Sequence, residues 1–281
     1  LHLWPYRPEE FHMNAVLGME FMQNALLAGL LASLACGVIG SLVVVNRQVF
    51  MAGGVAHTAY GGVGLAFFLG LPVLPCAVGF TVLAALIMAL ASFGRSERSD
   101  GIIGIMWAAG MAFGIILMDL TPGYNVDLMS YLFGSLLAVP RSDIWFMLLL
   151  DAIILAVVLF WYKDFLSLSF DMEFARSTGV PVRLLYALMQ VLTAVTVVMV
   201  IQIAGLILVI ALLTIPPMLA ELFTDTLWKT MALATLSSLF FCLTGLAISY
   251  HLDLTSGASI IAVATAGYVL AWAFTSLRDH A

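Results

Sequence analysis

Charged residues are scarce in this chain of 281 residues: Asp, Glu, Lys and Arg make up 9% of it, against 63% for hydrophobic residues. The mean hydropathy is +1.12. A soluble domain of this length needs far more polar surface, so a soluble globular fold is excluded. The short alternating segments of a membrane barrel are also missing, and the apolar runs reach the ~20 residues of a spanning helix. The sequence therefore predicts an all-α polytopic membrane protein whose first partner is the lipid bilayer.

Several motifs that would define an enzyme or a motor are missing. The chain contains no GxxxxGK[ST] phosphate loop and no HExxH or GxSxG cluster. It is therefore not expected to be an enzyme, and ATP-driven transport would need a separate ATPase. The three cysteines, Cys36, Cys76 and Cys242, have no CxxC spacing and are interpreted as packing residues. No basic cluster is present, which excludes nucleic acid as a partner.

The N-terminal segment lacks the features of a signal peptide. Residues 1–12 are polar and aromatic, with no basic stretch leading into an apolar one. Met13 is a candidate start residue. We predict an extracytoplasmic or interfacial segment at 1–20 and a single transmembrane domain at 21–281.

Nine apolar segments follow one another along the chain. The segment at 204–220 is short and ends in Pro216-Pro217, which favours a partial crossing. The sequence therefore predicts eight or nine transmembrane helices. The segments are 21–45, 54–70, 73–93, 101–119, 142–162, 184–201, 204–220, 230–250 and 257–276.

Basic residues fall mainly on one side of the predicted membrane. If the chain crosses nine times and ends in the cytoplasm, the positive-inside rule places this set in cytoplasmic loops and the N-terminus outside. The cytoplasmic set is Arg47, Arg95, Arg98, Lys163, Arg176, Arg183, Lys229 and Arg278. The opposite loops hold Asp119, Asp127, His251 and Asp253, with Arg141 as the basic exception.

Two cytoplasmic stretches differ from simple turns. Residues 164–183 hold an amphipathic segment that Gly179 and Pro181 should end. Residues 216–229 are predicted to form a short helix that begins at the prolines, and Thr224 or Asp225 should cap the following helix. Short helices at this face suit contact with a soluble partner, although ordinary interfacial loops would also explain them. On the outer side, 119–140 is interpreted as a loop that dips back toward the membrane.

His57 is the only histidine inside a predicted span, in the stretch GGVAHTAYGGVGLAFFLG at 53–70. At 3.6 residues per turn, Gly53, His57, Gly61 and Gly64 share one helix face, so another helix can approach closely. The glycines leave room for an ion or water beside the imidazole ring. An ionisable residue inside a membrane span is a functional candidate. A histidine that only packs against a neighbouring helix is the alternative.

Five stretches together resemble one family of membrane proteins. They are AHTAYGGVGLAF around His57, DLMSYLFGSLLAV from Asp127, SFDMEFARSTGVPV from Ser169, GLILVIALLTIPPMLAE from Gly205 and DLTSGASI from Asp253. Their order and spacing resemble the membrane permease of ATP-binding-cassette importers for zinc, manganese or iron. The resemblance covers about 45–270, nearly the whole chain. It implies the fold of the type II importer permeases, in a bacterial cytoplasmic membrane.

The resemblance also implies partners and cargo. We expect a homodimer, a cytoplasmic ATPase dimer and an extracytoplasmic metal-binding protein. The ATPase-facing elements would be 164–183 and 216–229, and proton-coupled metal transport is the alternative function. No cofactor is expected to be bound permanently; the divalent ion, zinc or manganese and possibly iron, is cargo. The ATPase-coupling candidates are Pro216, Pro217, Glu221, Thr224 and Asp225.

The expected metal ligands combine one intramembrane histidine with residues of the outer loops. Imidazole suits zinc, manganese and iron to differing degrees, and carboxylates suit manganese. Two acidic residues per subunit at the outer mouth would attract cations. The chain departs from the family in having Gly53 where many members carry an acidic residue, and Thr255 where many have proline. The metal candidates are His57, Asp127, Asp119, Asp253 and His251, while Asp151 inside the fifth segment has no evident charge partner.

Overall fold

The computed structural model describes residues 19–94, 96–122 and 139–279, except for the side chains at 96–98, 202–204 and 279. Within these ranges the chain forms ten α-helices and no strand. They are α1 (Glu20–Val45), α2 (Val49–Leu69), α3 (Val73–Ser92), α4 (Ser96–Asp119), α5 (Arg141–Phe160), α6 (Tyr162–Phe170), α7 (Met172–Ser177), α8 (Val182–Glu221), α9 (Leu227–Leu252) and α10 (Ser256–Asp279).

Eight stretches of the described helices are long and apolar enough to cross a membrane. The first part of α8, Val182–Ile201, is one of them, and its second part, Gly205–Glu221, is a shorter apolar helix. The prediction of eight or nine spans is therefore confirmed, and the segment predicted at 204–220 is the shorter apolar helix. The predicted start of the second span was late, because α2 already begins at Val49.

The core of the bundle lies around α1, α2 and the first part of α8. In their most apolar windows, 83% of α1 and 72% of each of the other two are buried, against 22% for α4 and 11% for α10. The central helices therefore bury their side chains inside the chain. The faces of α4 and α10 remain open to lipid or to another protein.

The chain reverses direction inside α8. Gln190 donates a side-chain hydrogen bond to Gln48 at the α1–α2 connection, and a Cβ on Gly40 of α1 would lie 2.6 Å from the carbonyl oxygen of Leu213. Gln48 and Gly40 are only eight residues apart in sequence, so their contact partners Gln190 and Leu213 also lie near each other. A straight helix from Gln190 to Leu213 would instead place them about 35 Å apart. The chain therefore folds back at Gly205, where the helical dihedrals break off. Both outer ends of α8 lie at the same end of the bundle.

Short helices α6 and α7 lie at that end, as the amphipathic pattern of 164–183 predicts. Asp171 caps α7, because its Oδ1 accepts hydrogen bonds from the backbone N–H groups of Glu173 (2.8 Å) and Phe174 (3.0 Å). Gly179 follows with a φ of 85°. This left-handed conformation ends the helical segment at the predicted residue.

The expectation for 216–229 was wrong in two respects. Pro216 and Pro217 lie inside the last turns of α8 and do not begin a separate short helix. The residue before α9 is Thr226, in place of the expected Thr224 or Asp225, and its side chain makes no capping hydrogen bond. A turn between Glu221 and Leu227 joins two long helices directly. Pro217 has no N–H to donate to the carbonyl of Leu213, and that carbonyl lies against Gly40 of α1.

Candidate metal pathway

Helices α2 and α4 approach each other through glycine, as the glycine-rich face of α2 predicts. A Cβ on Gly64 would lie 2.3 Å from the carbonyl oxygen of Gly114, and one on Gly110 would lie 2.8 Å from the Cα of Thr58. The later residue on α2 contacts the later residue on α4, so the two helices run parallel. A side chain at either contact would force the two backbones apart.

This contact places His57 beside two side chains of α4. The imidazole stacks on the indole of Trp107, with ring centroids 4.0 Å apart and an interplanar angle of 17°. The Nδ1 atom of His57 lies 3.2 Å from the Sδ atom of Met111. Trp107 and Met111 are four residues apart, so they share a face of α4. All three side chains are half-buried.

The surroundings of His57 differ in part from the sequence-based expectation. We predicted an open space beside the ring, but the indole covers one face and the thioether contacts one nitrogen. The ring is nevertheless only half-buried, so part of its edge remains open. His57 lies about 12 Å along the axis from the start of α2 at Val49 and about 18 Å from its end at Leu69. The imidazole therefore lies well inside the membrane-spanning part of the helix.

Three of the other predicted metal ligands lie away from His57, at the ends of helices. Asp119 is the last residue of α4, about 12 Å along the axis from Met111, and is exposed. His251 and Asp253 are exposed at the end of α9. Asp127 lies outside the described residues. Among the described residues, no group of three or more His, Cys, Asp or Glu side chains is arranged to hold a metal ion.

Asp253 has a conformational role at the end of α9. Its φ of 54° and ψ of 43° are left-handed, a region that Asp enters more readily than most residues. The N–H of Leu254 then donates to the carbonyl of Ser249 at 3.1 Å, and the Ser249 hydroxyl donates back to the carbonyl of Leu254 at 2.6 Å. The conformation of Asp253 thus closes this turn, and its role as a metal ligand stays a prediction.

The predicted coupling residues lie together at the end of α8. Glu221 is its last residue and is exposed, and Asp225 is exposed in the turn that follows. The Thr224 hydroxyl donates to the carbonyl of Ala220 at 2.8 Å and lies 2.8 Å from the hydroxyl of Thr230 on α9. Thr224 therefore ties the turn to both helices, while the two acidic side chains remain available for contact.

Sequence reasoning missed Trp107 and Met111 as neighbours of His57. Their spacing on α4 is a signal for a shared face, but nothing local connects that face to a residue more than forty positions away. The interpretation of Cys36 and Cys242 as packing residues is confirmed, because both are free thiols buried in the core. Asp151 is 2% exposed, and neither carboxylate oxygen has a hydrogen-bond partner within the described residues.

The architecture is that of a multi-pass membrane permease: apolar helices with a broken central one, a histidine within a span, and short helices collected at one end. The chain belongs to the ABC 3 transport family, whose match covers residues 18–275. This family of ABC-type permeases transports metals, and the identification made from the five sequence stretches is confirmed.

Relatives of known sequence agree with this assignment. A membrane protein of Synechocystis, itself uncharacterized, is 48% identical over 93% of both chains. The manganese transport system membrane protein MntC of Halalkalibacterium halodurans is 32% identical over 94% of this chain and 91% of its own. The MntC protein of Listeria monocytogenes is 34% identical over 93% of both.

Solved structures show the same fold. The structure of PsaBC from Streptococcus pneumoniae in complex with Fab superimposes with a TM-score of 0.83 at 30% identity, covering 92% of this chain and 93% of that one. An inward-facing metal-chelate type ABC transporter superimposes with a TM-score of 0.72 over 89% of this chain and 85% of its own. At 17% identity, this second likeness supports the fold alone. The predicted importer-permease fold is confirmed.

Proposed function

We propose that this chain is the permease subunit of an ATP-binding-cassette importer that carries a divalent transition metal into the cytoplasm, with His57 as a contact for the ion in transit. The main observation in support is the half-buried imidazole of His57 inside a span, where glycines bring α2 and α4 into close contact. A bare divalent ion cannot cross hydrocarbon, so a pathway must offer replacement ligands, yet few enough that the ion leaves again. Neutral imidazole meets this requirement.

The function requires partners that the chain itself does not supply. Without a phosphate loop, the permease needs a cytoplasmic ATPase dimer as its motor. An extracytoplasmic metal-binding protein would deliver the ion, and two copies of the permease would enclose the pathway. The exposed apolar faces of α4 and α10 offer surface for a second copy. Asp119 and Asp127 are proposed to attract cations at the outer mouth.

We assign coupling to the ATPase to the end of α8 with the following turn, together with α6 and α7. Both elements lie at the same end of the bundle, because α8 begins directly after α7 and returns to that end at Glu221. Glu221 and Asp225 present exposed carboxylates there. Pro216 and Pro217 lie in the last turns of α8, next to this turn.

Metal uptake by cells that lack their own importer tests the proposal. The chain should support uptake only when an ATPase and a metal-binding protein are expressed with it. His57→Ala should reduce uptake strongly at normal expression. His57→Gln keeps polarity and hydrogen bonding but is a poorer metal ligand, so it should not restore uptake.

Three results would count against the proposal. Full uptake by the Gln variant would return His57 to a packing role. Uptake without any ATPase would favour a proton-coupled secondary transporter. An unchanged rate in the Ala variant would remove His57 from the pathway altogether.

A further inference from the structure

Met111 places a sulfur atom where a second ligand to an ion at His57 would lie. The His57 Nδ1 to Met111 Sδ distance is 3.2 Å. Zinc binds imidazole nitrogen at about 2.0 Å and thiolate sulfur at about 2.3 Å, and two ligand atoms at such distances on a tetrahedral ion are separated by about 3.5 Å. A displacement of a few tenths of an ångström would therefore let both atoms contact one ion.

We propose that His57 Nδ1 and Met111 Sδ together form the transit contact for the metal, and that this pair makes the permease favour zinc over manganese. The inference rests on the proposed function, because it concerns the ion that passes His57. Met111 is then the residue that determines the preference for zinc over manganese. A two-atom contact from one chain leaves the other positions of the ion to water or to a second copy.

The orientation of the imidazole supports this assignment. Trp107 covers one face of the ring, so an ion reaches His57 in the ring plane, where the nitrogen lone pairs lie. The thioether sulfur accepts but does not donate, so without an ion the Nδ1–H tautomer of His57 suits this contact. When an ion binds, the imidazole adopts the other tautomer, with its proton on Nε2. The lone pair of Nδ1 is then free to bind the metal. The exchange of tautomers needs no net gain or loss of a proton.

The chemistry of the two atoms sets the preference. Thioether and imidazole are softer ligands that suit zinc, whereas manganese is better served by carboxylate and carbonyl oxygens. Gly53 lies one turn before His57 on α2, and a Cβ built there meets nothing within 4 Å. A carboxylate at position 53 would fit that space and could reach an ion at His57. The present residue supplies no such oxygen.

Two variants that should each lower the ratio of zinc uptake to manganese uptake, one by removing a sulfur ligand and one by adding an oxygen ligand, test the inference. Met111→Leu removes the sulfur and keeps the volume, so the ratio of zinc uptake to manganese uptake should fall by roughly tenfold. Gly53→Asp adds an oxygen ligand and should shift the ratio toward manganese. Met106→Leu is the matched control, because Met106 lies on the same helix and lines an apolar groove with Thr58. It should leave the ratio unchanged.

Binding of cobalt(II), a zinc surrogate, to the purified full-length protein gives a readout that does not depend on transport. A sulfur-to-cobalt absorption band should appear in the parent protein and be lost in Met111→Leu. An unchanged uptake ratio in Met111→Leu, an equal loss of both metals, or no sulfur band in the parent would each overturn the role of Met111. The proposed function fails separately, through normal uptake in His57→Gln.

Discussion

Gly205 is the residue on which the path of the central helix depends. Its φ of 78° and ψ of 165° lie in a region that essentially only glycine occupies. This conformation lets the second part of α8 turn back toward the end of the bundle at which its first part begins. The reversal brings Leu213 against Gly40 and leaves Glu221 exposed at that end.

Gly205→Ala should therefore destabilise the folded protein. The strain at this backbone conformation corresponds to about 1–3 kcal/mol, and relaxing it would shift the second part of α8. Thermal unfolding of the purified protein in detergent, together with its yield in membranes, measures the effect. Gly79→Ala in α3 is the control, because a Cβ there meets nothing within 4 Å. Equal melting temperatures for the two variants would contradict the assigned strain.

Among the elements, the α2–α4 pair defines the candidate pathway. The two helices are parallel and approach closely enough for glycine carbonyls to occupy the space of a side chain. Because the two backbones are so close, the side chain of His57 on α2 contacts Trp107 and Met111 on α4. Small residues thus allow the close helix approach that lets larger side chains, such as His57, make contacts between the helices. This is a common arrangement in membrane bundles.

Gly114→Ala should separate these helices. Its added Cβ would lie 2.4 Å from the carbonyl oxygen of Tyr60, so a backbone has to move. We expect a loss of about 1–3 kcal/mol in the free energy of unfolding, with metal uptake reduced because His57 and Met111 move apart. Gly104→Ala on the same helix meets no atom within 4 Å and should keep both stability and uptake. Normal uptake in Gly114→Ala would show that the close contact is not required.

At the scale of the whole molecule, the ends of the bundle determine which partners can reach which residues. One end holds α6, α7 and the turn between Glu221 and Leu227, to which we assign coupling to the ATPase. The α9–α10 turn lies at the other, because α1 and α9 are antiparallel: Gly37 packs on Thr235, and Ser33 donates to Cys242. The distribution of Lys and Arg predicts that the first end is cytoplasmic.

Single cysteines at the two ends test that orientation. Ser177 is the last residue of α7 and Thr255 lies in the α9–α10 turn, and both are exposed. In a background without native cysteines, a membrane-impermeant thiol reagent added outside intact cells should label Thr255→Cys and not Ser177→Cys. Labelling of both positions after the cells are opened controls for reactivity. The reverse pattern would overturn the orientation and the assignment of the coupling elements.

The sequence by itself determined the class of the protein, the spans and several helix ends. Hydrocarbon thickness requires about 20 apolar residues per crossing, so a run of such residues marks a span wherever it lies. The stop at Gly179 follows from glycine in the same local way. The glycine face of α2 likewise predicted a close helix contact.

Only the tertiary structure decided which helix makes that contact and what meets His57. In lipid both faces of a helix are apolar, so hydrophobic patterning does not identify the buried face or its partner. Trp107 and Met111 reach His57 only because α2 and α4 run parallel, with α3 between them in sequence. The fold-back at Gly205 and the continuation of α8 through its prolines also depend on α1, against which the returning helix packs. These features follow from contacts between distant segments, and local sequence does not encode them.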